Sequence, residues 1–422
     1  TPTQEMRPLP DPSGTSPEPA DTIAPYEPRD GVPAVITDQQ RLEEYATRLA
    51  AGSGPLAVDA ERASGYRYDQ RAYLVQLRRV GAGTALIDPV AVPDLSVIQE
   101  ATTGVEWILH AATQDLGCLA ELQLRPSALF DTELAGRLLG RDRVSLGALV
   151  LSELGQVLEK GHGATDWSVR PLTAAQLRYA ALDVELLVEL RDVMDAELVA
   201  AGKREYAAEE FAALLSFAPR ERGDDEWRRT SGIHRIRKPR SLAVVRALWT
   251  TRDDIARNRD IAIGRVLPDA AIVAAATTIP ADLDALAAMK EFSGRGASRY
   301  LRRWWAAIAE AQALPSEQLP TAAPPSGGPP QPRTWAERDP EAYARLEAAR
   351  SAMAALAEQQ HMPVENLLTP DLVRRLCWEP PADDQVATVL ASMGARSWQI
   401  GLTAPLLTTA LHARPTPKVT GE

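Results

Sequence analysis

At 422 residues, with 45% apolar and 24% charged residues, the chain is too long for one ordinary domain and too apolar for a wholly disordered one, so two or three packed units are expected. No apolar run reaches the roughly 20 residues of a membrane span, no signal peptide is visible, and the two distant cysteines, Cys118 and Cys377, exclude a disulfide framework; a cytoplasmic protein is expected. A formal net charge of −11 argues against an indiscriminate polyanion binder unless basic residues gather on one surface.

Residues 1–34 are rich in Pro, Ser and acidic residues and read as a disordered leader. From 35 to 218 short strand-like runs alternate with amphipathic helices, the signature of an α/β unit. The strand candidates are PLAVDAERA, AYLVQLRRV, GTALIDP and VEWILHA. The first three are expected as an antiparallel meander, and the fourth, after the helical DLSVIQEATTG, as a crossover back into the sheet. After His110 only helices are expected. Residues 219–238 form a basic connector, 239–314 a small helical unit, 315–334 a Pro/Gly-rich linker, 335–412 a second helical unit and 413–422 a disordered tail. The two helical units are alike in size and composition, as divergent copies of one module would be.

In VDAERASG, Asp59 and Glu61 sit two apart on a strand, so their carboxylates project from one face, toward a shared hard cation or simply toward solvent. In WILHAATQDLGCL a strand ends at His110 and a helix opens near Asp115. That acid either complements the helix dipole or stands at a strand end, where α/β active sites gather. In RYAALDVELL, Tyr179 and Asp183 lie at i and i+4 on one helical face, as a water-positioning pair or as a half-buried phenol capping a neighbour. His110 reads as a hydrogen-bonded core residue, and His162 as a residue of a Gly-flanked loop that either approaches substrate or does nothing specific. No His/Cys cluster has zinc spacing, whereas the acids suit hard ions.

The order of these three motifs, together with DTELAGRLLG, SLGALVLSELG and TDWSVRPLTAAQLRYAALDVELL, resembles the DEDD exonucleases of the ribonuclease D type through most of residues 35–218. The resemblance implies an α/β fold: a ribonuclease H-like 3′-5′ exonuclease domain, with a mixed sheet flanked by helices, followed by two small all-α HRDC-like domains. It implies that Asp59, Glu61, Asp115 and Asp183 hold two divalent cations, Mg²⁺ or Mn²⁺, about 4 Å apart. Tyr179 then orients or deprotonates the attacking water, and Asp131 either supports the site or merely caps the helix it opens. Family members often carry Thr and Phe where this chain has Ala60 and Arg62; both acids are kept, so the departure falls on the wall around the terminal base.

Residues 239–314 resemble an HRDC domain through RALWTTRDDIARNRDIAIGRVLPDAAIVAAA. Its basic entry, Arg228, Arg229, Arg235, Arg237, Lys238 and Arg240, is expected to contact phosphates, and Trp304 and Trp305 to stack bases or to pack in the core. The expected partner is RNA, as 3′ ends of structured RNAs such as tRNA precursors, trimmed to 5′-mononucleotides by a monomer. DNA hydrolysis and non-catalytic nucleic-acid binding are the alternatives, the first separated only by contacts to the 2′-hydroxyl.

Overall fold

The run SGPLAVDAER is apolar through its middle and charged at its far end, and it becomes the central strand of a six-stranded sheet with its acids at the strand terminus. The structure, a computed structural model, describes residues 24–159, 161, 163–321 and 328–415. His162, most of the leader, part of the Pro/Gly-rich linker and most of the C-terminal tail lie outside the described residues. The strands are β1 (Val35–Ile36), β2 (Ser53–Arg62), β3 (Ala72–Val80), β4 (Gly83–Ile87), β5 (Glu106–Leu109) and β6 (Ala128–Asp131), in the order β1-β4-β3-β2-β5-β6. The expected meander of β2, β3 and β4 is antiparallel, and β5 returns parallel to β2. β6, parallel to β5, stands where only helix was expected. Its four residues are too few for a periodicity, and Leu129, Phe130 and Asp131 are all buried, so the alternation that marks a strand is missing.

Residues 24–34, expected within the disordered leader, are held by polar contacts, with Tyr26 also packed against the apolar core. Tyr26 N–H donates to Val157 O at 2.7 Å, and Arg29 Nε lies 3.1 Å from Glu185 Oε1, a carboxylate only 1% exposed. A buried carboxylate is costly without a cation, so the acid fixes the segment that carries one.

Helices α1 (Gln39–Ala51), α2 (Ser96–Ala101), α3 (Leu116–Glu121), α4 (Thr132–Leu138), α5 (Leu146–Leu154), α6 (Ala174–Glu185), α7 (Leu187–Ala200) and α8 (Arg204–Leu214) complete the catalytic unit. α6 begins with a capping box: Thr173 Oγ1 accepts from Gln176 N–H at 3.2 Å, and Gln176 Oε1 accepts from Thr173 N–H at 3.0 Å. This start fixes the phase of the helix, hence where Tyr179 and Asp183 point.

The two helical units repeat one plan at constant spacing in the chain. Each opens with a 21-residue helix bearing Pro in its first turn, α9 (Pro239–Arg259) and Pro340–Gln360. Each ends that helix on a left-handed residue, Asp260 and His361, both at φ 47°, followed by a four-residue helix, Ile263–Val266 and Val364–Leu367. Each also docks on the catalytic unit by this corner. In the first, Asp260 Oδ1 accepts from Tyr68 and Asp69 N–H at 3.1 and 3.2 Å, and Arg265 Nε donates to Gly65 O at 2.6 Å. In the second, Lys203 Nζ donates to Leu138 O at 2.6 Å and His361 O at 3.3 Å, and a Cβ at Gly140 would collide with the His361 carbonyl.

The second docking is also apolar. Phe130, Leu149, Leu190, Met194 and Phe211 of the catalytic unit share one buried core with Trp335, Leu346, Met353, Leu376 and Leu407. A boundary drawn near residue 218 therefore cuts through a packed interior. Trp304 is likewise core, with its indole N–H donating to Ala297 O at 2.8 Å, while Trp305 packs half-buried against the same cluster.

Trp335 is fully buried, with its ring centroid 4.8 Å from that of Trp378. Trp335→Ala should cost about 3–5 kcal/mol. In urea unfolding, the shared core requires the transition of the catalytic unit to move with that of the C-terminal unit; a catalytic transition that stays in place would show that the two cores are separate.

Candidate active site

The termini of β2, of β5 and of β6 meet the face of α6 around a cavity of about 660 Å³. Asp59, Glu61, Asp115, Tyr179 and Asp183 all line it, so the structure brings together the five residues that the three motifs single out. One carboxyl oxygen from each of Asp59, Glu61 and Asp183 lies within 4.8 Å of the others, an all-oxygen group that fits a hard divalent cation. Asp115 adjoins this group, its carboxyl sharing a hydrogen bond with that of Asp59.

Each acid is aimed by a different local device. Asp59 and Glu61 share a face through strand alternation, and Gln76, opposite Asp59 in the β2–β3 register, places one amide nitrogen 3.4 Å from each carboxyl. Gln76 was missed in the sequence, where its signal is a lone amide inside the apolar run AYLVQLRRV. Asp115 follows a turn in which Ala111 takes a left-handed conformation, φ 57° and ψ 53°, which costs a non-glycine residue on the order of 1–3 kcal/mol. Asp131 compensates. Its carboxylate accepts from Ala111 N–H at 3.1 Å and Ala112 N–H at 2.8 Å, and also caps α4 by accepting from Glu133 N–H at 2.9 Å and Leu134 N–H at 3.1 Å. One side chain is thus both the cap and the support for the turn that presents Asp115. Asp115 itself makes no side-chain cap bond to α3.

Burial is the first cause of every carboxyl shift here. It pushes Asp59 to about 6; at Glu61, raised to about 10, repulsion from Asp59, Asp183 and Asp115 adds to it. Asp115 and Asp183 stand well above the ordinary carboxyl range by burial and by the charge of Asp59. Tyr179 donates to Asp183, and burial with three nearby carboxylates keeps its phenol protonated at neutral pH. His110, held by Thr132 Oγ1 at 2.9 Å from Nδ1, is pushed down to about 4 by burial and is neutral. Arg62 lies at the cavity beside Asp115, and the apolar part of the wall is built from Val144, Leu146 and Leu187.

The basic entry to the first helical unit divides in two. Arg228 pairs with Asp225 and donates to Thr321 O, and Arg240 donates to Gln312 O, so these two serve the fold. Arg229, Arg235, Arg237 and Lys238 are exposed and make no ion pair among the described residues.

Residues 33–199 match a family described as 3′-5′ exonuclease, 241–308 the HRDC domain, and 328–411 a family described as 3′ to 5′ exonuclease C-terminal domain. The chain is 34% identical over 310 residues to ribonuclease D of Acidiphilium cryptum, covering 71% of this chain and 77% of that one. A crystal structure of a protein from Bifidobacterium adolescentis is 38% identical, with TM-score 0.83, covering 91% of this chain and 98% of that one. The crystal structure of Escherichia coli RNase D, described as an exoribonuclease involved in structured RNA processing, is 25% identical with TM-score 0.67, covering 91% and 99%.

The raised carboxyls fix a pH dependence. A carboxyl whose folded value lies above its unfolded one binds more protons when folded, so its stabilising contribution is complete below the ordinary range and is lost as pH rises. The window runs from the ordinary values, 3.8 and 4.5, to about 6 for Asp59 and about 10 for Glu61. Protein treated with EDTA should therefore lose thermal stability between pH 5 and pH 8, and added Mg²⁺ should restore most of it at pH 8 and little at pH 5. A melting temperature flat across that range without metal would refute the electrostatic account.

Proposed function

The chain belongs to the ribonuclease D family and is a 3′-5′ exoribonuclease, and we propose that Asp59, Glu61, Asp115 and Asp183 hold its divalent ions, Mg²⁺ or Mn²⁺, with Tyr179 beside the attacking water. The observation that carries this reading is the convergence of three carboxyl oxygens within 4.8 Å, with a fourth carboxyl bonded to one of them. When bound there, divalent ions supply an activated water and stabilise the departing 3′ oxygen. The chain's own residues supply the placement. Gln76 holds Asp59 and Glu61 in register, Asp131 fixes the turn before Asp115, and the phenol of Tyr179 donates to Asp183. In this reading Tyr179 orients the water through its phenol oxygen, held in place by its bond to Asp183. His110 is not among the ligands in this reading, because the converging group is made of carboxyl oxygens alone and His110 stands outside it.

The products in this reading are 5′-mononucleotides, and the substrates are 3′ ends of structured RNAs, tRNA precursors among them. The support is the placement of the first helical unit on the loop Gly65–Asp69, beside the cavity, with Arg229, Arg235, Arg237 and Lys238 exposed at its entry. Phosphate contacts by such residues give affinity that is blind to sequence and falls with salt. The two buried, unpaired thiols favour a cytoplasmic location.

Asp59→Asn and Asp183→Asn should each lower RNA hydrolysis by more than ~10³-fold while leaving RNA binding in place, since each removes a ligand and no basic surface. Tyr179→Phe should keep metal affinity and lose about 10²-fold in rate. Labelled oligoribonucleotides and their DNA counterparts, with Mg²⁺, Mn²⁺ or EDTA, provide the assay. Full activity in either Asn variant would remove the assignment of the carboxylates.

Replacing Arg229, Arg235, Arg237 and Lys238 together by Ala should weaken binding of a tRNA-like RNA and flatten its dependence on salt. Filter binding at several ionic strengths measures both quantities, and an unchanged slope would dismiss those four residues as phosphate contacts.

A further inference from the structure

The cavity is walled by acids, yet its substrate is a polyanion. Among the described residues lining it, Arg62 is the only lysine or arginine, against Asp59, Glu61, Asp115, Glu133 and Asp183. Strict alternation along β2 would aim Arg62 away from Glu61. Instead the register slips by one residue at this point: Glu61 pairs with Leu74 and Arg62 with Ala72, skipping Tyr73. Such irregularities re-aim side chains, and Arg62 lines the same cavity as Glu61, with its guanidinium beside Asp115.

The guanidinium is held loosely. Its Nε lies 3.9 Å from Asp115 Oδ1, an ion pair too long for a hydrogen bond, and its side chain is 26% exposed. Arg170, by contrast, directs four hydrogen bonds to Asp88 and to backbone carbonyls, the usual state of an arginine that serves the fold. Arg62 therefore keeps its fork of donors for something that enters the cavity. The chain after it is anchored from the other side, since Arg265 donates to Gly65 O and Ala262 N–H to Tyr66 O at 3.0 Å. Its backbone position is fixed while its side chain is left unengaged.

On the reading that the carboxylates form the ion site, we propose that Arg62 is a substrate-contacting residue that grips the phosphate of the 3′-terminal nucleotide, the group that leaves as a nucleoside 5′-monophosphate. The planar fork matches two phosphate oxygens, which an ammonium cannot do to the same degree. Until a phosphate arrives, the same charge offsets Asp115. Arg62 thus opposes divalent ions electrostatically and favours the phosphate, so its removal has effects of opposite sign on the two ligands.

Calorimetric titration of the full chain tests this with wild type, Arg62→Gln and Arg62→Lys. The probes are Mn²⁺ alone, then 5′-AMP and adenosine at saturating Mg²⁺. Arg62→Gln should bind Mn²⁺ several-fold tighter and 5′-AMP at least tenfold weaker, with adenosine unchanged. Arg62→Lys should return Mn²⁺ affinity to the wild-type value and recover only part of the 5′-AMP affinity. A 5′-AMP affinity that does not change in Arg62→Gln overturns the assignment, as does a parallel loss of both affinities, which marks a collapsed site. If wild type binds neither Mn²⁺ nor 5′-AMP, the failure lies with the reading of the carboxylates, and the Arg62 assignment falls with it.

Discussion

Four carboxyls forced into one cavity repel one another, and much of the surrounding structure serves to hold them there. At an effective dielectric near 20, two unit charges 4 Å apart interact by about 4 kcal/mol, so four ionised acids at this spacing would threaten the stability of the whole unit. Three adjustments keep the cluster together. Protons stay on carboxyls that would ordinarily ionise; Tyr179 and Gln76 donate to the charges that remain; and Arg62 supplies one positive charge beside Asp115. Each is a substitute for cations, which is the electrostatic sense in which the site is prepared to receive them.

The same constraint explains why the acids come from separate segments. Carboxyls adjacent in the chain could swing apart to relieve repulsion, whereas a strand, a pinned turn and a capped helix leave no such freedom. Asp131 shows how tightly this is arranged, because its carboxylate accepts four backbone N–H groups and joins the turn before Asp115 to the first turn of α4. The shared interior with residues 335–411 stiffens the helices behind the site, and the first helical unit holds the loop in front of it.

What was legible in the sequence follows physical range. Asp59 with Glu61 and Tyr179 with Asp183 are pairs whose shared faces are set by strand and helix periods and were readable from spacing, whereas a role in one site came only from the order of the motifs. Asp115 could be placed only through the order of motifs in a known family, because a left-handed alanine and a remote carboxylate aim it, and neither has a local signature. β6 was hidden by brevity and burial. The fixing of residues 24–34 rests on partners far along the chain, Val157, Arg178 and Glu185 among them, which no window on the leader could reveal. The shared core was invisible for a similar reason: Trp335 and Phe211 each look like the interior of their own unit until the units are set side by side.

The repeated helical plan has a consequence for how the chain assembles. Two modules that present the same corner could in principle exchange places. Here the two docking sites differ in kind. The first offers N–H groups of Tyr68 and Asp69, which the Asp260 carboxylate accepts, and the matching residue of the other copy is His361. The second demands a broad apolar face around Trp335 and Trp398 and leaves no room beyond a hydrogen at Gly140. The difference between the docking sites therefore works as sorting information: a misdocked module would leave partly buried donors unmet at one site and apolar surface wet at the other. The two helical modules are kept from competing for a single berth by the chemistry of the berths themselves.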